Sequence, residues 1–216
     1  MASSSRTIPT YQIALLGDSN VGKSSLFSRL QTGNFVDTNT LCTNGRDSFL
    51  YHQTVDRTNI NVILFDTAGG ERFRSLTRSY HRGKDAVILV YDVEASYTLD
   101  HLQYWIDEVQ TCTDNPDITW AIFGNKCELD RKFDARILET YRLDLDTNLS
   151  TFVSAKTGDN VVEAFESVFA YVHRKAMALN SDSHAGSVVR EDDDYNTVDL
   201  HKNTDTSEIS RKRACC

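Results

Sequence analysis

Gly17-Asp18-Ser19-Asn20-Val21-Gly22-Lys23-Ser24 lies between the β-rich run Tyr11 to Leu16 and a helical pattern over Ser24 to Gln31 that stops before Gly33. The stretch fits G-x-x-x-x-G-K-S, and strand, glycine loop, helix is the setting that spacing requires. Successive backbone N–H groups of such a loop converge at the N-terminus of the following helix, where the aligned peptide dipoles favour an anion. Lys23 adds a point charge for the outer phosphates, and the Ser24 hydroxyl is a hard oxygen suited to Mg²⁺. Ser19, Asn20, Val21, Gly22, Lys23, Ser24 and Ser25 are therefore expected to bind a nucleotide. By itself the loop implies only a nucleoside triphosphate.

Outward from the loop, Ser48 to Val55, Asn61 to Phe65, Ala86 to Tyr91, Ile118 to Phe123 and Thr151 to Val153 are further expected strands. Three of these are nearly all apolar, which suits strands covered on both faces in a parallel sheet. Between them Leu99, Leu102, Trp105, Ile106 and Val109 recur at helical spacing, as do Val161, Val162, Phe165, Val168, Phe169 and Val172. Alternating strands and helices predict a doubly wound α/β domain over residues 11–178. Residues 1–10 are expected to be a flexible N-terminus. From Asn180 to Ala214 aromatics nearly vanish and Asp and Ser dominate, so residues 179–216 are expected to form a disordered tail.

Composition narrows the function classes. The 216 residues carry 23 Lys and Arg against 31 Asp and Glu, a formal net charge of −8. A nucleic-acid binder that relies on phosphate neutralisation needs the opposite balance, so nucleic acid is not an expected partner. The longest apolar run, Ala86 to Tyr91, is far short of the ~20 residues of a membrane span. Met1 to Thr10 is polar and lacks the apolar core of a signal peptide, which predicts a reducing cytosolic setting and free thiols. Of five cysteines, Cys42, Cys112 and Cys127 are scattered, while Cys215 and Cys216 are adjacent.

Three more stretches sit at strand ends. Phe65-Asp66-Thr67-Ala68-Gly69-Gly70-Glu71 puts a carboxylate at the end of the Asn61 to Phe65 strand, where it can hold the magnesium hydration shell. Gly69 there lets a backbone N–H approach a γ-phosphate. Asn125-Lys126-Cys127-Glu128 follows Ile118 to Phe123, and Ser154-Ala155-Lys156 follows Thr151 to Val153. With these residues in this order the chain resembles the Ras superfamily of small GTPases, and the Rab family most closely. Glu71-Arg72-Phe73 and Ser79-Tyr80-His81-Arg82-Gly83 are similar to the second Rab switch, and Cys215-Cys216 resembles the Rab end that takes two geranylgeranyl groups.

The resemblance implies a P-loop NTPase small G domain with a mostly parallel six-stranded sheet and helices on both faces. It implies GTP/GDP as bound nucleotide and Mg²⁺ as cofactor, with Lys23 and the loop amides on the phosphates, Ser24 and Thr43 on the metal, and Asp66 ordering its water. Phe35 matches the aromatic that stacks on the base. Asn125, Lys126 and Glu128 match the base-binding box, Ser154 and Ala155 the loop that offers the Ala155 N–H to the guanine oxygen, and Lys156 supports that loop. Thr38, Thr40 and Thr43 all lie in the first switch. Thr43-Asn44-Gly45-Arg46-Asp47 keeps the family's Thr-x-Gly-x-Asp spacing and its distance to Asp66, although at the usual distance from Lys23 the position is Cys42. Lys23, Thr43, Gly69 and Gly70 fall at the catalytic positions. Effector proteins, an exchange factor, an activating protein, a prenylation escort and a GDP-dissociation inhibitor are the implied partners of a monomer on the cytoplasmic face of intracellular membranes.

The chain departs from the family in four places. Gly70 stands where a glutamine orients the attacking water, which predicts slow intrinsic hydrolysis. Glu128 replaces an aspartate, keeping the charge but reaching about one methylene further toward the guanine N–H groups, which predicts that GTP is still preferred over ATP, with weaker affinity or faster exchange. Asn44, Arg46 and Ser48 make the first switch more polar than is usual, and Phe65 replaces a tryptophan. Arg211-Lys212-Arg213 before Ala214-Cys215-Cys216 suits an anionic leaflet beside two lipid chains, though the end is not a C-a-a-X box. A nucleotide-binding module without useful hydrolysis is the alternative reading. A small-molecule kinase is a weaker one, since it leaves the Asn-Lys-x-Glu and Ser-Ala-Lys boxes as coincidences.

Overall fold

The computed structural model describes residues 7–35, 46–67 and 83–185. Within them, six strands form one sheet: β1 (Thr10–Leu16), β2 (Arg46–Val55), β3 (Thr58–Thr67), β4 (Ala86–Asp92), β5 (Thr119–Asn125) and β6 (Ser150–Phe152). The spatial order is β2-β3-β1-β4-β5-β6, with β2 antiparallel to β3 and every other neighbour pair parallel. The expected mostly parallel six-stranded α/β architecture is therefore the one observed. All seven residues of β4 and all seven of β5 are buried, which explains why these runs show no period-two alternation in the sequence.

The helices are α1 (Lys23–Thr32), α2 (Ser96–Asp100), α3 (Leu102–Cys112), α4 (Ala135–Asp144) and α5 (Val161–Ala185). Alternate strand residues point to opposite faces. Ile13, Leu15, Val62, Leu64, Ile88, Val90 and Phe123 pack with Leu26, Phe27 and Leu30 of α1 and Val161, Phe165, Val168 and Phe169 of α5. On the other face Val87, Leu89, Tyr91, Trp120 and Ile122 pack with Leu99, Leu102, Trp105, Ile106 and Val109 of α2 and α3 and Tyr141 of α4. The sheet is thus held rigid from both sides, and the strand ends beneath the phosphate loop are fixed by two separate cores.

Several elements differ from the sequence reading. The Leu99 to Val109 pattern divides at His101 into α2 and α3, with the helical periodicity carried through the break. Helix α4 is not signalled by apolar periodicity because Tyr141 is its one buried residue; its start is set by Asp134, whose carboxylate accepts the Arg136 N–H at 2.9 Å. Helix α5 runs to Ala185, beyond the boundary expected at residue 178. From Val161 to Ala185 there is no glycine or proline to stop it, and Gly186 is the first breaker. Residues 179–185 therefore belong to the helix, and the rest of the expected tail lies outside the described residues.

Candidate functional site

Five strand ends meet on one rim of the sheet. Parallel pairing brings together the loop after β1, Asp66 near the end of β3, Asp92 ending β4, Asn125 ending β5, and Ser154 just past β6. That rim, outside the carboxyl ends of the strands, is where open α/β sheets bind ligands.

The glycine spacing of the loop has a steric cause. Gly17 has φ +145°, and a Cβ there would lie 2.1 Å from the Val90 carbonyl oxygen; Gly22 has φ +95°, and its Cβ would lie 2.2 Å from Asn125 Nδ2. Both contacts are far inside van der Waals distance, so any side chain would push the loop off β4 and β5. Ser19 and Asn20 form the exposed tip, with Asn20 at φ 65°, a left-handed conformation that asparagine tolerates. Val21 and Ser25 are buried beneath them.

Lys23 is 5% exposed and folds back over the loop, donating from Nζ to the Gly17 carbonyl at 2.8 Å and the Asp18 carbonyl at 2.7 Å. Burial draws its pKa down to about 8, with Asp66 and Asp18 opposing the shift. The cation is therefore poorly compensated by protein alone, and a polyphosphate at this place would supply the missing negative charge. Asp18 is held from the side by α2 and α3: Trp105 Nε1 donates to its Oδ1 at 3.0 Å, and His101 Nδ1 lies 2.8 Å from its Oδ2.

Ser24 Oγ donates to Asp66 Oδ2 at 2.5 Å. Asp66 is 2% exposed, and its second oxygen, Oδ1, is buried with no partner among the described residues. Burial raises the carboxyl pKa, while the Ser24 hydrogen bond and Lys23 pull it back. A buried carboxylate oxygen without a donor is costly, and a hard cation reached by this oxygen and Ser24 would remove the deficit. The two residues fit Mg²⁺. Thr43, the third expected ligand, lies outside the described residues, as do Gly69, Gly70 and both stretches matched to the second switch as far as Arg82.

Asn125, 1% exposed, braces the two halves of the site. Its Nδ2 donates to the Val21 carbonyl at 2.7 Å, and its Oδ1 accepts the Ala155 N–H at 3.1 Å. The Ala155 N–H, which the resemblance assigns to the guanine oxygen, donates to this protein group in the described structure. The next amide, that of Lys156, donates to no group among the described residues. Ser154 closes the loop, its Oγ accepting the Thr157 N–H at 3.0 Å and its carbonyl the Gly158 N–H at 2.8 Å.

Lys126 adopts φ 64° and pairs through Nζ with Asp92 Oδ2 at 2.6 Å. Asp92 is absent from the set expected from sequence; its position at the end of an apolar strand, in register with Asn125, parallels that of Asp66 and is the signal that could have found it. Glu128 is exposed with no hydrogen bond among the described residues, which leaves its carboxylate open to a ligand. Phe35, 40% exposed, lies two residues past the C-cap Gly33, and no bond ties it to the strand-end residues.

A glycine loop at a helix N-terminus, a buried lysine, and a hydroxyl–carboxylate pair on the strand rim define an α/β P-loop protein whose residues fit a nucleoside triphosphate with a divalent cation. The sequence pattern of the Ras family matches residues 12–174. Ras-related protein RABA5b of Arabidopsis thaliana is 34% identical, over 95% of this chain and 94% of its own length. Ras-related protein Rab-18-B of Danio rerio is 39% identical over 74% of this chain and 77% of its own, and putative ras-related protein Rab-5B of Dictyostelium discoideum is 34% identical over 73% of each. The chain belongs to the Ras superfamily of small GTPases, in its Rab family.

Proposed function

We propose that the protein is a membrane-anchored guanine-nucleotide switch of vesicle trafficking that binds GTP and GDP with Mg²⁺ and hydrolyses GTP slowly on its own. The observation that carries the reading is the combination on one rim of buried Lys23, the Ser24–Asp66 pair with its unpartnered oxygen, and the Asn125 brace. Lys23 and the loop amides bind the phosphates; Ser24, Thr43 and Asp66 hold the ion directly or through its water. Bound magnesium supplies charge neutralisation on the outer phosphates. Glu128, Asn125, Lys126 and the Ser154-Ala155-Lys156 loop recognise the base, with Phe35 stacking on it. Gly70 offers no side chain to orient water, so positioning by the rest of the site carries what hydrolysis there is.

The switch regions present the active form to effectors, and the exchange factor, activating protein, escort and dissociation inhibitor act on the same cycle. Protein purified without added nucleotide should carry a stoichiometric guanine nucleotide, released when EDTA strips the magnesium. Recovery of adenine nucleotide, or of none from folded protein, would refute the reading.

For the membrane end, two lipid chains on Cys215 and Cys216 give stable attachment where one is marginal, and Arg211-Lys212-Arg213 adds attraction to an anionic leaflet. The double variant Cys215→Ser, Cys216→Ser should move from the membrane pellet to the soluble fraction of fractionated cells. Retention in the pellet would place the anchor elsewhere. A second reading, a tethered effector-binding module without useful turnover, is favoured by the glycine at position 70 and the glutamate at position 128.

A further inference from the structure

Arg29 belongs to none of the nucleotide motifs, yet its guanidinium ties three parts of the site together. From within the last four residues of α1 its Nε donates to the Ala155 carbonyl at 2.8 Å, its Nη2 to the Lys156 carbonyl at 2.6 Å and its Nη1 to the Gly33 carbonyl at 2.7 Å. Two consecutive carbonyls of the base loop are thus held by one rigid planar fork, a geometry a lysine cannot reproduce.

A trans peptide points its N–H opposite to its C=O. With the Ala155 carbonyl fixed on Arg29, the N–H of the same peptide, that of Lys156, is aimed away from α1. It is also the amide of this loop with no acceptor among the described residues, whereas the Ala155 N–H is taken by Asn125 Oδ1. A charge-assisted hydrogen bond on the carbonyl polarises the peptide and strengthens its N–H as a donor.

We infer that Arg29 is a positioning residue for base recognition: by holding the Ala155 and Lys156 carbonyls it presents the Lys156 N–H to the carbonyl oxygen of guanine. Through the Gly33 carbonyl it also ties that loop to the segment leading to Phe35. The inference rests on the guanine-nucleotide reading above.

The test compares GDP with the diphosphate of 2-aminopurine riboside, which lacks the carbonyl oxygen, both as competitors of a fluorescent guanine nucleotide. The analogue also lacks the ring N–H, but that difference is common to both proteins and cancels in the comparison. Arg29→Ala should weaken GDP about tenfold while changing the analogue less than about twofold. Arg29→Lys, which keeps the charge but reaches a single carbonyl, should give a smaller loss with the same selectivity for GDP and guards against a folding defect in the alanine variant. Equal losses for both ligands would mean that Arg29 merely stiffens the loop, and unchanged affinities would mean that it does nothing for the base; either result overturns the inference. Failure of the unsubstituted protein to bind GDP at all would instead overturn the nucleotide reading beneath it.

Discussion

Gly70→Gln should hydrolyse bound GTP faster than the natural protein in single turnover, by a factor on the order of 10 to 100. Phosphoryl transfer to water depends on placing the nucleophile in line with the leaving group and on neutralising the charge that spreads over the γ-phosphoryl oxygens. In the proposed function the charge side falls to Lys23 and to an ion held by Ser24 and Asp66. On the proposed reading the water side lacks a side chain, because the glycine at position 70 has neither donor nor acceptor beyond its backbone. Restoring a carboxamide supplies the missing orientation without altering phosphate binding, so nucleotide affinity should stay the same while the rate rises. Equal rates would show that water is oriented by another group. Phosphate release from the glutamine variant alone would favour the tethered binding module.

Lys23→Ala should lower affinity for GTP and GDP by on the order of 10² to 10³-fold, since it removes a buried cation from direct charge-assisted contact with phosphate. Stability of the nucleotide-free protein should change little. Desolvation disfavours the charged lysine in the folded state, its pKa falling to about 8, so the cation is a burden on the fold until an anion arrives. Competition binding together with urea unfolding separates the two effects. An unchanged affinity would remove the loop from phosphate recognition, and a collapse of stability would make Lys23 a structural residue.

The part of this molecule that was legible in the sequence is the part where backbone sterics leave little choice. Gly17 and Gly22 are glycines because Val90 and Asn125 occupy the space a Cβ would need, and that constraint is written directly into the motif. The buried strands β4 and β5 are legible because both faces are covered and every residue is apolar or tied at the strand end. Helix α4 is not, because it buries Tyr141 alone and leaves no periodic stripe. The continuation of α5 to Ala185 runs through Asn180, Ser181, Asp182 and Ser183, which are weak helix formers with no glycine or proline among them, and this polar composition also suits a tail. Within the site, Lys23 and Ser24 are expected from the loop spacing, Asp66 from its place at a strand end, and Asn125 from the resemblance to the small GTPases. Arg29 has no such signal, since it acts by bonding to carbonyls far away in sequence, and Asp92 has only its place at the end of an apolar strand. The Ala155 N–H donates to Asn125 Oδ1, a contact set by the orientation of Asn125 that no linear pattern records.

This rim is proposed to select guanine nucleotides, with Glu128 reaching the ring N–H and exocyclic amine that adenine does not present in the same pattern. That selection is tested most directly by competition of GTP and ATP against a fluorescent guanine nucleotide on the full-length protein with magnesium. GTP should displace the probe at concentrations at least about 100-fold lower than ATP, as expected when two charge-assisted contacts are lost together. Displacement by ATP at the same concentration as GTP would contradict the account.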